Sequence, residues 1–216
     1  MTELILDITM SLDGFIAGPN QTLDEPLGRG GGQLHEWAFA TKAFRRQHGL
    51  EGGETGADSD AAEETIRDTG ATVMGRRMFS GGEGVWEDDP NADAWWGDDP
   101  PFHHPVFVLT HHAREPQTKQ GGTTFTFVTD GIESALEMAR EAAGGKDVVI
   151  GGGANVAQQY LEAGLLDELR IHVAPVLLGD GVRLFENHAG LERPKVECIR
   201  VIGSAAVTHL SYRVVK

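Results

Sequence analysis

The run Val148-Val149-Ile150-Gly151-Gly152-Gly153-Ala154-Asn155 limits the possible folds more than any other stretch of this chain. Three consecutive β-branched residues read as a strand buried on both faces, which belongs in an α/β sheet. The glycines lead into a segment of helical character that stops at Gly164. A strand, a glycine-only turn and a helix start form a place where backbone N–H groups converge on an anion. Glycine suits such a turn because a Cβ would hold a phosphate away from the backbone. The run has neither the third glycine of G-x-G-x-x-G nor the Gly-Lys-Ser/Thr of a P-loop. Spacing alone is equally compatible with an anion cradle and with a plain turn between packed elements.

Other strands end in residues of chemical interest. Leu4–Met10 reads as a buried strand that runs into Ser11-Leu12-Asp13-Gly14 and then Phe15-Ile16-Ala17-Gly18. Asp13 is there either a turn former or a site residue. Ala71–Met74 leads into Gly75-Arg76-Arg77, a basic turn that either binds phosphate or is simply solvated. Val106–Leu109 ends at Thr110, with His111 and Arg114 close behind. Helices are predicted over Leu34–His48, over Asp58–Thr69 with an Asp58-Ser59 N-cap, and over Ile132–Ala143 with an Asp130/Glu133 capping box. In an open α/β sheet, ligands sit at the carboxyl ends of the strands.

The last third changes character. Leu169–Val176, Val196–Val201 and Val207–Val215 read as strands with little helix between them, so an antiparallel meander closes a mixed, mostly parallel sheet. At 216 residues, a single domain with loop insertions is expected over 1–216. Two segments stand outside the strand–helix rhythm. Residues 21–57 are rich in glycine, and 80–105 is a long acidic loop that holds Trp86, Trp95 and Trp96. The first reads as a lid or a disordered insertion, and the second as a functional cover or a small core of its own.

A formal net charge of −15 argues against a nucleic-acid partner. An anionic ligand must therefore meet a local basic patch. Cys198 is the only cysteine, which excludes an intrachain disulfide and suits a reducing cytosol. The acidic start Met1-Thr2-Glu3-Leu4 is unlike a signal peptide, and no apolar run is long enough to cross a membrane, so a cytoplasmic protein is expected. The adjacent pairs His103-His104 and His111-His112 lack the i, i+4 spacing of helical metal ligands, and no metal is expected.

Taken in order, Ser11-Leu12-Asp13-Gly14-Phe15-Ile16-Ala17-Gly18, Met74-Gly75-Arg76-Arg77-Met78-Phe79, Val108-Leu109-Thr110, Ile150-Gly151-Gly152-Gly153, and Asp167-Glu168-Leu169 leading to Leu178-Gly179-Asp180-Gly181 resemble the dihydrofolate reductase-like superfamily. Within it, the chain resembles stand-alone proteins similar to the reductase domain of the riboflavin-pathway deaminase–reductase. The resemblance implies a three-layer α/β/α fold and an NADPH-dependent reductase. It matches Gly75, Arg76 and Arg77 to the turn that holds the adenosine-side phosphates, and Thr110 to the strand end near the adenosine. Gly151, Gly152, Gly153, Ala154 and Asn155 match the pyrophosphate turn, and Thr9, Ile16 and Ala17 lie near the nicotinamide. The implied substrate is a pterin, a pyrimidine or a related heterocycle, with 5-amino-6-(5-phosphoribosylamino)uracil reductase-like activity as one form. No deaminase motif is present, and Gly151-Gly152-Gly153 stands where the riboflavin-pathway reductases usually carry Glu-Gly-Gly.

Hydride reduction also needs a proton. Asp13 is the expected donor, because it follows the strand nearest the nicotinamide; Asp58, Asp60, Glu63, Glu64 and water are the alternatives. A competing reading is an NADP(H)-binding module or redox sensor without turnover. Fold analogy also suggests a homodimer.

Overall fold

The computed structural model describes residues 2–82, 84–93, 95–186 and 194–216. Nine strands form one sheet in the order β10-β11-β8-β1-β7-β3-β4-β6-β5. In chain order these are β1 (Leu4–Ser11), β3 (Thr69–Gly75), β4 (Pro105–Leu109), β5 (Gln117–Thr118), β6 (Thr124–Val128), β7 (Asp147–Gly152), β8 (Glu168–Ala174), β10 (Lys195–Gly203) and β11 (Thr208–Val215). From β8 to β6 the neighbours run parallel; β11 and β10 at one edge and β5 at the other are antiparallel. The mixed sheet and the closing meander are thus as the sequence predicts. A second, two-stranded sheet pairs β2 (Phe15–Ala17) with β9 (Val182–Arg183), a pairing too short to leave a periodic signal.

Alternation along the strands sorts side chains onto the two faces. On one face Leu4, Leu6, Ala71, Val73, Val148 and Ile150 form the main core with α5 (Ile132–Ala142) and α6 (Ala154–Glu162). On the other face Met74, Val106, Val108, Phe125 and Phe127 pack with Phe79 of α4 (Arg76–Ser80) and with Trp86, Trp96 and Phe102 of the long loop. The loop therefore has a core of its own, with Trp86 edge-on to both Phe79 and Phe127. Its residues 83 and 94 lie outside the described set.

Three local expectations need correction. The helix predicted over Leu34–His48 is broken into α1 (Glu36–Ala40) and α2 (Lys42–Gln47), after a 3-10 turn at Gly31–His35. Thr41 causes the break: its backbone is extended and its hydroxyl accepts from the Phe44 N–H, which caps the second piece. The next helix, α3 (Ala57–Asp68), begins at a Gly56 N-cap; Ser59 lies buried inside it and accepts from the Ala43 N–H. The Asp130/Glu133 capping box is absent, because Gly131 takes the N-cap and makes no side-chain cap bond. Between Pro19 and Gly31 the chain folds back on itself: Gly18 donates to Leu27 O, and a Cβ on Gly28 (φ 70°) would collide with the Gly18 carbonyl.

His104 ties the start of β4 to β3 by a 2.8 Å hydrogen bond between Nε2 and Thr72 Oγ1. Burial, then the charges of His103 and Lys146, push its imidazole down to about 4. The unfolded chain binds that proton near pH 6.5, so stability is complete above this pH and falls as pH drops toward about 4. Allowing for partial exposure, about 1–2 kcal/mol is expected to be lost between about pH 7 and about pH 5. Urea midpoints at the two pH values test this, and the loss should shrink in His104→Gln. His209 and His35, also lowered by burial, add to the same slope in both proteins.

Candidate active site

Beyond Leu6 and Ile150, β1 and β7 no longer pair: β1 continues to Ser11 along β8 alone, while β7 continues to Gly152 along β3. The chain leaving β1 enters β2, whose Ile16 packs into the main core, and the chain leaving β7 enters α6. A crevice at such a divergence is where open α/β sheets take ligands.

Gly152 ends β7 with φ 123°, a backbone conformation that favours glycine, and a Cβ there would stand 3.0 Å from Met78 Sδ. Gly153 is open: a Cβ would meet nothing within 4 Å. It is the N-cap of α6 and makes no side-chain cap bond, so the first N–H groups of that helix are left for an external acceptor. Asn155 lies exposed in the same turn, its Oδ1 accepting from Gln159 Nε2. Gly75, at the end of β3, abuts this turn, since a Cβ there would lie 3.0 Å from Val156 Cγ2. Thr110 follows β4 and accepts from the His112 N–H at 3.2 Å. Thus Gly75, Thr110 and Gly151–Asn155 lie on one carboxyl edge of the sheet, as the sequence reading expects. Exposed Arg77 stands in the first turn of α4.

Other residues named from sequence are engaged elsewhere. Arg76 turns inward, where its guanidinium pairs with Asp89, donates to Ser80 Oγ at 3.0 Å and stacks 3.2 Å above the Trp86 ring. Burial works to raise the Asp89 carboxyl, but hydrogen bonds from Ser80, Arg76 and the Asn91 N–H hold it below the ordinary range. This corrects the phosphate role expected of Arg76: a local carboxylate already answers its charge. Arg114 likewise reaches the loop, at Asp93 and the Ala92 carbonyl.

Asp13 accepts from Ser11 Oγ at 2.6 Å, from the Gly179 N–H at 2.7 Å and from the Leu178 N–H at 3.2 Å. Ser11 and these backbone donors hold its carboxyl at about 2. Such a carboxylate clamps the loop that follows β8, and it is too acidic to serve as the expected proton donor. Thr9 is buried and accepts from Trp37 Nε1 at 3.2 Å. Ile16 and Ala17 are buried in β2, Ile16 within the main core.

On the α3 face, a cavity of about 700 Å³ lies against the carboxyl end of β8. Trp37, Thr55, Asp58, Pro175 and Ser204 are among its walls. Under Trp37, β8 and β11 bring His172 and His209 together, Nδ1 to Nδ1 at 2.7 Å. His172 Nε2 lies 3.1 Å from Asp7 Oδ1, and His209 Nε2 lies 3.0 Å from Asp58 Oδ1. Both histidines are buried. The sequence reading misses this pair, although Asp7 inside an apolar strand was a visible irregularity. Among the described residues no cluster has the makeup of a metal site.

Residues 2–209 match the RibD C-terminal domain family, and the chain belongs to it. It is 23% identical over 193 residues to YyaP of Bacillus subtilis (strain 168), an uncharacterized protein; the match covers 85% of this chain and 80% of that one. A putative riboflavin biosynthesis protein from Shewanella sp. PV-4 superposes over the full length of both chains, with a TM-score of 0.63 and 22% identity. Dihydrofolate reductase from Enterococcus faecalis, solved with NADP(H) and RAB-propyl, superposes with a TM-score of 0.52 and 14% identity, covering 98% of this chain and 96% of that one. These likenesses establish a dihydrofolate reductase-like fold.

Proposed function

We propose that this RibD C-terminal domain protein is an NADPH-dependent reductase that acts on a pterin, a pyrimidine or a related heterocycle. The observation that carries the reading is the uncapped start of α6, with Gly153 open beside it, at the edge where β1 and β7 part. The residues present suit a dinucleotide. The N–H groups of Gly153, Ala154 and Asn155 would receive the pyrophosphate, and Gly75, Arg77 and Thr110 the adenosine side. Gly151 and Gly152 keep Met78 and Thr72 close behind the turn, where a Cβ would crowd them. When bound, NADPH would supply a hydride to a substrate carbon and leave as NADP⁺, so the adjoining heteroatom needs one proton. The family assignment and the fold shared with an NADP(H)-bound reductase support the same chemistry.

The net charge of −15 disfavours nucleic acid, and among the described residues no helix is long and apolar enough to cross a membrane. Strand β10, exposed along nearly its whole length with Val201 at 61%, suits a homodimer.

Trp37, Trp86, Trp95 and Trp96 provide a signal for titration with NADPH and NADH. Saturable binding with preference for NADPH is expected, followed by NADPH oxidation with a member of a pterin and pyrimidine panel. Response to neither nucleotide removes the reductase reading. Tight binding without turnover on any acceptor would leave a nucleotide-binding module.

A further inference from the structure

The geometry points to a proton relay in which the buried His172–His209 pair supplies a proton to Asp58 at the wall of the large cavity. The role rests on the reductase reading, because the heteroatom beside the reduced carbon must gain one proton. It follows from counting protons along the chain Asp7–His172–His209–Asp58.

Three hydrogen bonds join these four groups, and each needs one proton. Burial works to raise the Asp7 carboxyl, but the His172 charge, hydrogen bonds from His172 and Thr65, and Arg170 beyond them hold it below its ordinary range. Asp7 is therefore a carboxylate, and His172 Nε2 carries a hydrogen. The two Nδ1 atoms, 2.7 Å apart, share one proton. The third proton sits between His209 Nε2 and Asp58 Oδ1. If it is on the ring, the pair carries one positive charge facing two carboxylates. If it is on Asp58, the pair is neutral and Asp58 is an acid.

Movement across one 3.0 Å contact converts one state into the other. Asp58 lines the cavity, its side chain 21% exposed, and its Oδ2 accepts from Ser204 Oγ at 2.9 Å. Trp37, which also lines the cavity, donates to Thr9 in the last part of β1. In the step, the O–H bond of Asp58 breaks, the substrate heteroatom gains the proton, and Asp58 is left as a carboxylate facing His209 and Ser204. Bulk water returns one proton through the cavity, which balances the reduction.

The charged and titratable groups around the pair are Asp7 on β1, His35 before α1, Asp58 and Glu64 on α3, Arg170 on β8 and Arg200 on β10. Burial lowers His209 while Asp58 works to raise it, so removal of Asp58 should lower it further.

Imidazole ¹⁵N NMR of the full chain against pH is the test, on wild type, Asp58→Asn and His172→Gln. In wild type, the His209 midpoint is expected to belong to the hydrogen-bonded pair rather than to one ring. Asp58→Asn should move that midpoint down by about one pH unit. His172→Gln should leave His209 titrating alone while it still responds to Asp58. Two independent midpoints, or a His209 midpoint unmoved by Asp58→Asn, would overturn the relay. Should Asp58→Asn fold poorly, a His209 midpoint that is the same in wild type and His172→Gln would overturn it equally. The NADPH titration judges the reductase reading separately. Coupled titration without nucleotide binding would leave a proton chain with no reduction to serve, and would overturn the assigned role.

Discussion

Gly153→Asp is expected to weaken NADPH binding by about a hundredfold or more, roughly 2.7 kcal/mol, while leaving the fold at least as stable. Gly153 has φ −93° and ψ −167°, which any residue can adopt, and a Cβ there meets no atom within 4 Å. Asp is a favoured N-cap whose carboxylate accepts from the first helical N–H groups and suits the helix dipole. Stability should therefore hold or rise by roughly a few tenths of a kcal/mol. The same carboxylate would occupy the donors that the pyrophosphate needs and would oppose its charge. Asn155→Asp, with its charge further along the same turn, is expected to give a smaller loss. Fluorescence titration and urea denaturation measured together separate affinity from folding. Unchanged NADPH affinity in Gly153→Asp would move the anion away from α6 altogether.

The second large effect is on folding. Asp89→Ala is expected to destabilise the protein by about 3–5 kcal/mol, because it leaves the Arg76 guanidinium buried without its counter-charge. The side chains are 8% and 2% exposed, so water cannot replace the lost partner. Trp86 still covers one guanidinium face, but Ser80 would lose the acceptor it donates to and keep only the bonds it accepts, from Arg76 Nε and the Gly82 N–H. Arg76→Met with Asp89→Leu should be less destabilised than either single apolar change, since the double change removes both charges at once. Urea unfolding of the four proteins provides the cycle. A loss below about 1 kcal/mol in Asp89→Ala would mean that the pair is solvated in solution and that Arg76 is available to a ligand after all.

Much of the fold was legible because it is written in local pattern. The apolar run at 148–150, the alternation in 208–215 and the helices before and after β7 reflect residues whose burial depends on their own spacing. The carboxyl-edge grouping of Gly75, Thr110 and Gly151–Asn155 was legible for a related reason: parallel strands put all their carboxyl ends on one side. The errors fall where one residue has two options and a distant partner chooses between them. Thr41 could continue a helix or cap one, and the bridge from Thr41 to Glu54 holds it extended. Arg76 could face a phosphate or a carboxylate, and the fold of the 80–105 loop supplies Asp89. Asp13 could be an acid or a clamp, and two N–H groups from 178–179 make it a clamp.

The amino-acid sequence by itself determined the strand–glycine–helix unit, the mixed sheet and the carboxyl edge that groups Gly75, Thr110 and Gly151–Asn155, because periodicity and glycine's missing Cβ act within a few residues. Only the tertiary structure decided which charges stay available. It paired Arg76 with Asp89 and joined Asp7, His172, His209 and Asp58, in which residues as far as 165 positions apart share a single contact. A hydrogen bond acts over about 3 Å, and its partners are chosen by how strands and helices stack, a choice that leaves no period in the chain.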